Sequence, residues 1–211
     1  LWNLELGLKG NDRDGRQSGD VNLFFTRREN QQVATSLQLD PEDPLTFMYL
    51  TDNAASGEAW GLEASARRQA TARLELSSSL SLMQSRYLDY QLEGRSLDGR
   101  AWAHAPDWKA SVAATWRHPA GWMARIDLSG EGGFYFDTSH DQHADSRFLT
   151  NLRIGFEAER WEIYAWACNL LDERYPVRGF FFGNEPPDFP EKLYLRWGDP
   201  RQLGLTARFQ F

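Results

Sequence analysis

Hydrophobic and polar residues alternate along most of this chain, which predicts strands with one apolar face each. Residues 1–9 set Trp2, Leu4, Leu6 and Leu8 against Asn3, Glu5, Gly7 and Lys9. After a polar turn at 10–15, a second run sets Val21, Leu23 and Phe25 against Asp20, Asn22 and Thr26, then enters a loop around Pro41 and Pro44. A third run opposes Trp60, Leu62, Ala64 and Ala66 to Gly61, Glu63, Ser65 and Arg67. A fourth opposes Leu74, Leu76, Leu80 and Leu82 to Glu75, Ser77, Ser79 and Ser81. The stretch 62–76 has a helix-favouring composition, but the clean leucine alternation and a reversal at Thr71 and Ala72 predict strand.

The fifth run places Trp108, Ala110, Val112, Ala114 and Trp116 on one face, with Lys109, Ser111, Thr115 and Arg117 on the other. After a turn at 118–121, the sixth opposes Trp122, Ala124, Ile126, Leu128, Phe134 and Phe136 to Arg125, Asp127, Ser129 and Glu131. The seventh opposes Phe148, Leu152, Ile154 and Phe156 to Asn151, Arg153 and Glu157. In the eighth, from Trp161 to about Leu170, both faces are apolar: Tyr164 and Trp166 oppose Ile163 and Ala165. The ninth is the last ten residues. Leu203, Leu205, Ala207, Phe209 and Phe211 share its apolar face, and it runs to the terminal carboxylate. Chain ends ordinarily fray into water, whereas an outer-membrane barrel closes on such a strand.

Connection lengths separate a membrane barrel from a soluble sandwich. Short turns fall at 10–16, 69–72, 118–121 and 158–160. Long polar connections fall near 37–56, 89–105, 137–146 and 172–200. Outer-membrane barrels alternate short periplasmic turns with long external loops in this way. Trp108, Trp116 and Trp122 stand at the ends of apolar stripes, where interfacial girdles belong. The predicted fold is all-β: an antiparallel, up-and-down transmembrane β-barrel, present in part, with about nine strands.

Composition agrees with this reading. A mean hydropathy of -0.60 reflects strands that bury only alternate side chains. No apolar run reaches about 18 residues, so no spanning helix is expected. Nine Trp, seven Tyr and thirteen Phe can supply girdles or a core. The net charge of -7 gives no basic footprint for nucleic acid. The single cysteine, Cys168, excludes an internal disulfide and a multi-thiolate metal site. No signal peptide opens the chain at Leu1, so a leader was removed or the chain is a fragment.

Three motifs carry a family resemblance, and a fourth feature, Ala105-Pro106, also fits it. Asn53-Ala54-Ala55 leads to Gly61-Leu62-Glu63, and Ala105-Pro106 precedes the fifth strand. Asn169-Leu170-Leu171-Asp172-Glu173-Arg174-Tyr175 precedes the last external loop, and Gly198-Asp199-Pro200-Arg201 leads into the closing strand. In that order and spacing, the chain resembles the C-terminal part of a TonB-dependent outer-membrane receptor. The resemblance implies about nine C-terminal strands of a barrel of about 22, plugged by an N-terminal domain. Residues 1–211 would be barrel alone, with the plug domain and the TonB-contacting segment outside the sequence. It further implies import of a scarce nutrient across the bacterial outer membrane with energy from TonB. A ferric siderophore is the commonest class; haem and cobalamin are alternatives. The implied partners are outer-membrane lipid, the ligand, TonB through the missing N-terminal region, and the barrel assembly machinery. No enzymatic activity and no resident cofactor are expected.

Candidate ligand contacts lie in two loops. The last holds Arg178, Phe180, Phe181 and Phe182, then Lys192, Tyr194, Arg196 and Trp197. Three consecutive phenylalanines could cap the barrel rim, contact lipid-anchored sugars, or stack on an aromatic siderophore, and the cations Arg178, Lys192 and Arg196 could balance a ferric catecholate. His140 and His143, with Asp137, Asp141 and Asp145, could hold a metal or an iron-bearing ligand, or form a solvated loop. Asn169 and Asp172 read as caps for a strand exit. Phe209 and Phe211 read as an assembly signal, as the resemblance implies. Two other classes remain open: a small complete outer-membrane barrel acting as hydrolase or adhesin, and a soluble β-sandwich binding module. An enzyme would need a serine, histidine and acid cluster at the rim, and His104, His140 and His143 have no serine motif beside them.

Overall fold

The computed structural model describes residues 1–40, 43, 46–92 and 94–210, with side chains outside 31, 33–38 and 47–55. In chain order it contains β1 (Trp2–Asn11), β2 (Gln17–Gln38), β3 (Phe47–Gln69), β4 (Leu74–Asp89), β5 (Gln91–Leu92), β6 (Arg95–Ser96) and β7 (Trp108–Arg117). Then follow β8 (Trp122–Glu131), β9 (Phe134–Tyr135), β10 (His143–Ala144), β11 (Arg147–Glu157), β12 (Trp161–Cys168), β13 (Pro176–Gly183), β14 (Glu191–Trp197) and β15 (Gln202–Phe209). Nine of them form one sheet in the order β1-β2-β3-β4-β7-β8-β11-β12-β15. Every ladder among the described residues is antiparallel. No helix occurs among them, so none is long and apolar enough to cross a membrane.

The period-two pattern sorts cleanly onto two faces. Register carries it from strand to strand: Leu8 pairs with Val21, Val21 with Ala64, Ala64 with Leu80, Leu80 with Ala110, and Val112 with Leu128. The apolar face stays bare, with Leu8 79% and Leu205 80% exposed. Soluble monomers rarely leave contiguous apolar patches beyond a few hundred Å², so this face fits a hydrocarbon environment. Two belts of rings bound it. Towards the short turns stand Trp116, Trp122, Phe156, Trp161 and Phe209; Phe156 lies edge-on to Trp122 at 5.4 Å and stacked on Trp161 at 5.3 Å. Towards the long loops stand Phe25, Trp60, Trp108 and Phe148, the last two 5.6 Å apart. The eight steps from Trp108 to Trp116 span about 27 Å at ~3.4 Å per residue, close to the apolar band of such barrels.

The opposite face is concave and polar, with a groove of about 940 Å³ running across β4, β7, β8, β11, β12 and β15. Arg125 chelates Asp127 and donates to Thr115 (3.1 Å), and Arg67 pairs with Glu75 at 2.6 Å. Glu131 takes Arg147 at 2.8 Å and Lys109 at 3.8 Å. The two-faced β12 resolves here. Tyr164 donates to Glu157 (2.8 Å) and Trp166 to Thr206 (3.1 Å) on the polar side, while Ile163 stays exposed on the apolar side. Gly204 makes this possible, because a Cβ there would sit 2.2 Å from the Trp166 ring.

Three expectations need correction. The connection at 37–56 is not one long loop: β2 and β3 pair out to Gln38 and Phe47, because Thr, Val and Tyr residues there keep strand propensity despite their polar neighbours. Pro41 and Pro44 lie outside the described residues. The apolar stripe of the sixth run stops at β8, where Gly132 and Gly133 release the chain. Phe134 pairs with β10 instead, and Phe136 is buried under the loops. The long connections at 89–105, 137–146 and 172–200 are not irregular, since each involves a two-stranded ladder.

Candidate functional site

The last external excursion is tied at its base by the Asn169 segment. β12 ends at Cys168, and Asn169 and Asp172 turn the chain with φ of 47° and 58°. Such angles suit Asn and Asp, whose short side chains bond nearby backbone. The Asn169 amide donates to the carbonyls of Glu173 (2.9 Å) and Asp199 (3.1 Å), and accepts from the Glu173 N–H (2.9 Å). Its own N–H donates to Asn151 Oδ1 at 2.9 Å. Asp172 accepts from the Arg201 N–H at 2.8 Å. These residues hold the outgoing and returning strands together, as their reading as caps expects. Arg147 lies 4.3 Å over the Tyr175 ring beside this knot.

From this base rises the β13–β14 hairpin. Its register pairs Arg178 with Arg196, Phe180 with Tyr194, and Phe182 with Lys192 on one face. Gly179 with Leu195, and Phe181 with Leu193, occupy the other. The first face is cationic and aromatic. Phe182 and Tyr194 lie 5.1 Å apart, and the Arg178 guanidinium lies 5.0 Å from the Phe180 centroid. Lys192 is neutralised by an ion pair with Glu185, which also accepts from Tyr194 at 3.4 Å. The pair holds the Lys192 ammonium above its usual range and the Glu185 carboxyl below. Arg178 and Arg196 have no carboxylate partner among the described residues.

Of the sequence candidates, Arg178, Phe180, Phe182, Tyr194 and Arg196 therefore share one face. Phe181 turns the other way onto the His140 ring, 5.1 Å away. Trp197 sits at the base, capped by Arg174 at 4.1 Å. His140 and His143 do not converge: the His143 ring faces Tyr135 at 6.2 Å. Asp137 spends its carboxylate on the Ser139 and His140 N–H groups, both at 2.8 Å, and Asp141 is taken by arginines. No group of three His, Cys, Asp or Glu positioned to hold a metal occurs among the described residues. The metal option for this loop is thus not supported by its geometry. Phe209 lies on the apolar face opposite Trp161. Phe211 lies outside the described residues.

Sequence reasoning missed the packing of the loop at 89–105. Tyr87, Tyr90 and Leu97 form a small buried cluster, with Leu92 and Trp102 against it. Arg100 runs from this cluster to Asp141, which Arg95 also contacts at 3.1 Å. The Arg100 and Arg95 hydrogen bonds hold the Asp141 carboxyl below its ordinary value. His104 sits 5.2 Å from Phe134; burial, then the Arg178 charge, lower its pKa. The only sequence signal was the clustering of Arg95, Arg100, Tyr87 and Tyr90, which has no period.

Residues 1–170 match the family described as TonB dependent receptor-like, beta-barrel. The chain belongs to that family. Receptors of that family are outer-membrane β-barrel proteins of Gram-negative bacteria and are not enzymes, which sets aside the hydrolase and soluble-module readings. Solved structures of the family's kind share the fold. The ferric yersiniabactin uptake receptor FyuA of Yersinia pestis superposes with a TM-score of 0.79 at 20% identity, over 99% of this chain and 29% of its own. The copper transporter OprC gives 0.76 at 14% identity, over 99% and 32%. The siderophore receptor PiuA of Acinetobacter baumannii gives 0.74 at 17% identity, over 98% and 28%. This segment of a TonB-dependent receptor barrel spans about three-tenths of the length of those proteins.

Proposed function

We propose that this barrel segment serves a receptor that imports an anionic, aromatic metal chelate of the ferric siderophore class across the outer membrane, with energy from TonB. The observation that carries the reading is the β13–β14 face. Two arginines with no carboxylate partner among the described residues stand directly opposite each other, next to Phe180, Phe182 and Tyr194. Each arginine can bind an oxyanion through two parallel N–H donors, and neighbouring rings add stacking and cation–π contact. A ferric catecholate offers both an anionic oxygen shell and flat rings. The similarity to structures named as ferric siderophore receptors supports the same class. The TonB contact and a lumen-filling domain would come from sequence outside these residues, and the polar groove would face that domain. Phe209 and Phe211 would serve barrel assembly. Accumulation of radioiron from a ferric tris-catecholate, in cells carrying the receptor as their only uptake route, tests the proposal. Uptake should stop when the proton-motive force is dissipated. Uptake that persists unchanged would remove TonB energy from the account.

A further inference from the structure

We propose that Arg100 is a positioning residue for the Arg178–Phe182 face, acting through the β9–β10 hairpin; the idea rests on the ligand reading above. Arg100 belongs to a different loop from that face and cannot be recognised as part of it from sequence. Its side chain is 8% exposed, although it carries a permanent charge. The guanidinium lies 4.0 Å over the Tyr135 ring of β9. It donates to the Asp141 carboxylate at 2.5 Å and to the His140 carbonyl. Its own carbonyl accepts from the Tyr87 N–H at 3.0 Å, which anchors it to β4. A flat cation with a rigid fork of donors can stack on a ring and bond two oxygens in one fixed geometry; an ammonium is a point charge without that plane. Removing it would leave the Asp141 carboxylate to Arg95 alone and the His140 carbonyl without its donor.

The second half of the linkage runs from that hairpin to the ligand face. His140, whose carbonyl Arg100 holds, packs its ring against Phe181 at 5.1 Å. Phe136, next to Tyr135, is buried against Gly179, where a Cβ would meet its ring at 2.3 Å. Phe181 and Gly179 form the back of the β13–β14 ladder whose front carries Arg178, Phe180 and Phe182. The knot at Asn169 fixes only the base of that ladder. Above the base, at Gly179 and Phe181, the ladder is held from behind by a hairpin that Arg100 clamps in turn. A face held in place before the ligand arrives avoids the ordering cost on binding.

A ligand-free experiment tests this. In the receptor in native outer membranes, with Cys168→Ser, a nitroxide at Asn184 reports motion of the hairpin tip. R100M and F181A should each raise its mobile component several-fold. The R100M/F181A double variant should add nothing to the larger single effect, because both cut one linkage. R100K should not restore the immobile spectrum. D141N, which removes an exposed acceptor, should act in the same direction and carries the test if R100M fails to insert. An unchanged Asn184 spectrum in R100M or D141N, with a label at Ser96 mobilised, would overturn the proposal. So would additive effects in the double variant. Failure of the ligand reading would look different: the label would respond as stated while affinity for a ferric tris-catecholate stayed constant.

Discussion

Arg178 and Arg196 are direct cross-strand partners on one face of the β13–β14 ladder, and neither has a carboxylate partner among the described residues. Like charges placed opposite each other destabilise a ladder. Arg196→Gln should therefore slow amide exchange at Phe180 and Phe181 while weakening an anionic ligand. Stability and binding would move in opposite directions, as expected where a site stores an unfavourable contact for its ligand. Faster exchange in Arg196→Gln would mean the pair is not repulsive.

The Asn169 knot makes a separate prediction. Asn169→Ala removes three side-chain bonds, at about 0.5–1.5 kcal/mol each, and leaves a β-carbon at φ 47°. Trypsin should then cut after Arg174 and Arg178 many times faster, with the transmembrane strands still protected. Asn169→Gly, which loses the same bonds but relieves the dihedral, should fall between Ala and the parent. Equal cutting rates in all three proteins would show that the knot does not hold the hairpin.

The Asp141 ion pairs set a pH window. The carboxyl lies below its ordinary value of 3.8, held down by Arg100 first and Arg95 second. A depressed folded pKa contributes stability that is present above the unfolded value. That stability is lost as pH falls through the folded value. His140 and His143, the neighbouring titratable groups, expose their rings to Phe181 and Tyr135 rather than to the Asp141 carboxylate. Amide exchange over 95–104 should thus stay slow from pH 7 down to about 4 and rise only below. In Asp141→Asn it should be faster throughout and nearly flat across that acid step. A rise centred near pH 6 in the parent would assign the switch to a histidine instead.

The two faces of the sheet give a test of orientation. Leu80, Val112, Ile126, Leu128 and Ile154 all stand exposed on the apolar side, while Arg125 and Asp127, two residues apart on β8, bond each other on the groove side. Nitroxides at Val112 and Ile126 in bilayers should be relaxed strongly by oxygen. Those at Ser111 and Arg125 should respond to a water-soluble nickel chelate. The reverse pattern would turn the sheet inside out.

The strands were legible in sequence because a membrane barrel writes its environment at period two: Val112 belongs to the apolar face and Ser111 to the polar one. Tight turns were legible for the same reason, since Gly121, at φ 96°, ends the stripe between Trp116 and Trp122. The external packing was not legible. Arg100 reaches Tyr135 across 35 positions of sequence, and nothing periodic links them. Phe180, Phe181 and Phe182 could be placed in one loop, but not divided between front and back until the β13–β14 register was known. His140 and His143 share a spacing that suits a metal, yet the hairpin turns their rings towards different partners.

The most direct test of the account is equilibrium binding of a ferric tris-catecholate to the receptor in outer membranes, normalised to surface-exposed protein. The parent is compared with Arg178→Gln/Arg196→Gln. Losing two charge-assisted contacts of about 1.5–3 kcal/mol each predicts a fall in affinity of at least tenfold, a flatter salt dependence and an unchanged amount at the surface. Equal affinity and equal salt dependence in the two proteins would contradict the assignment of the β13–β14 face as the ligand site.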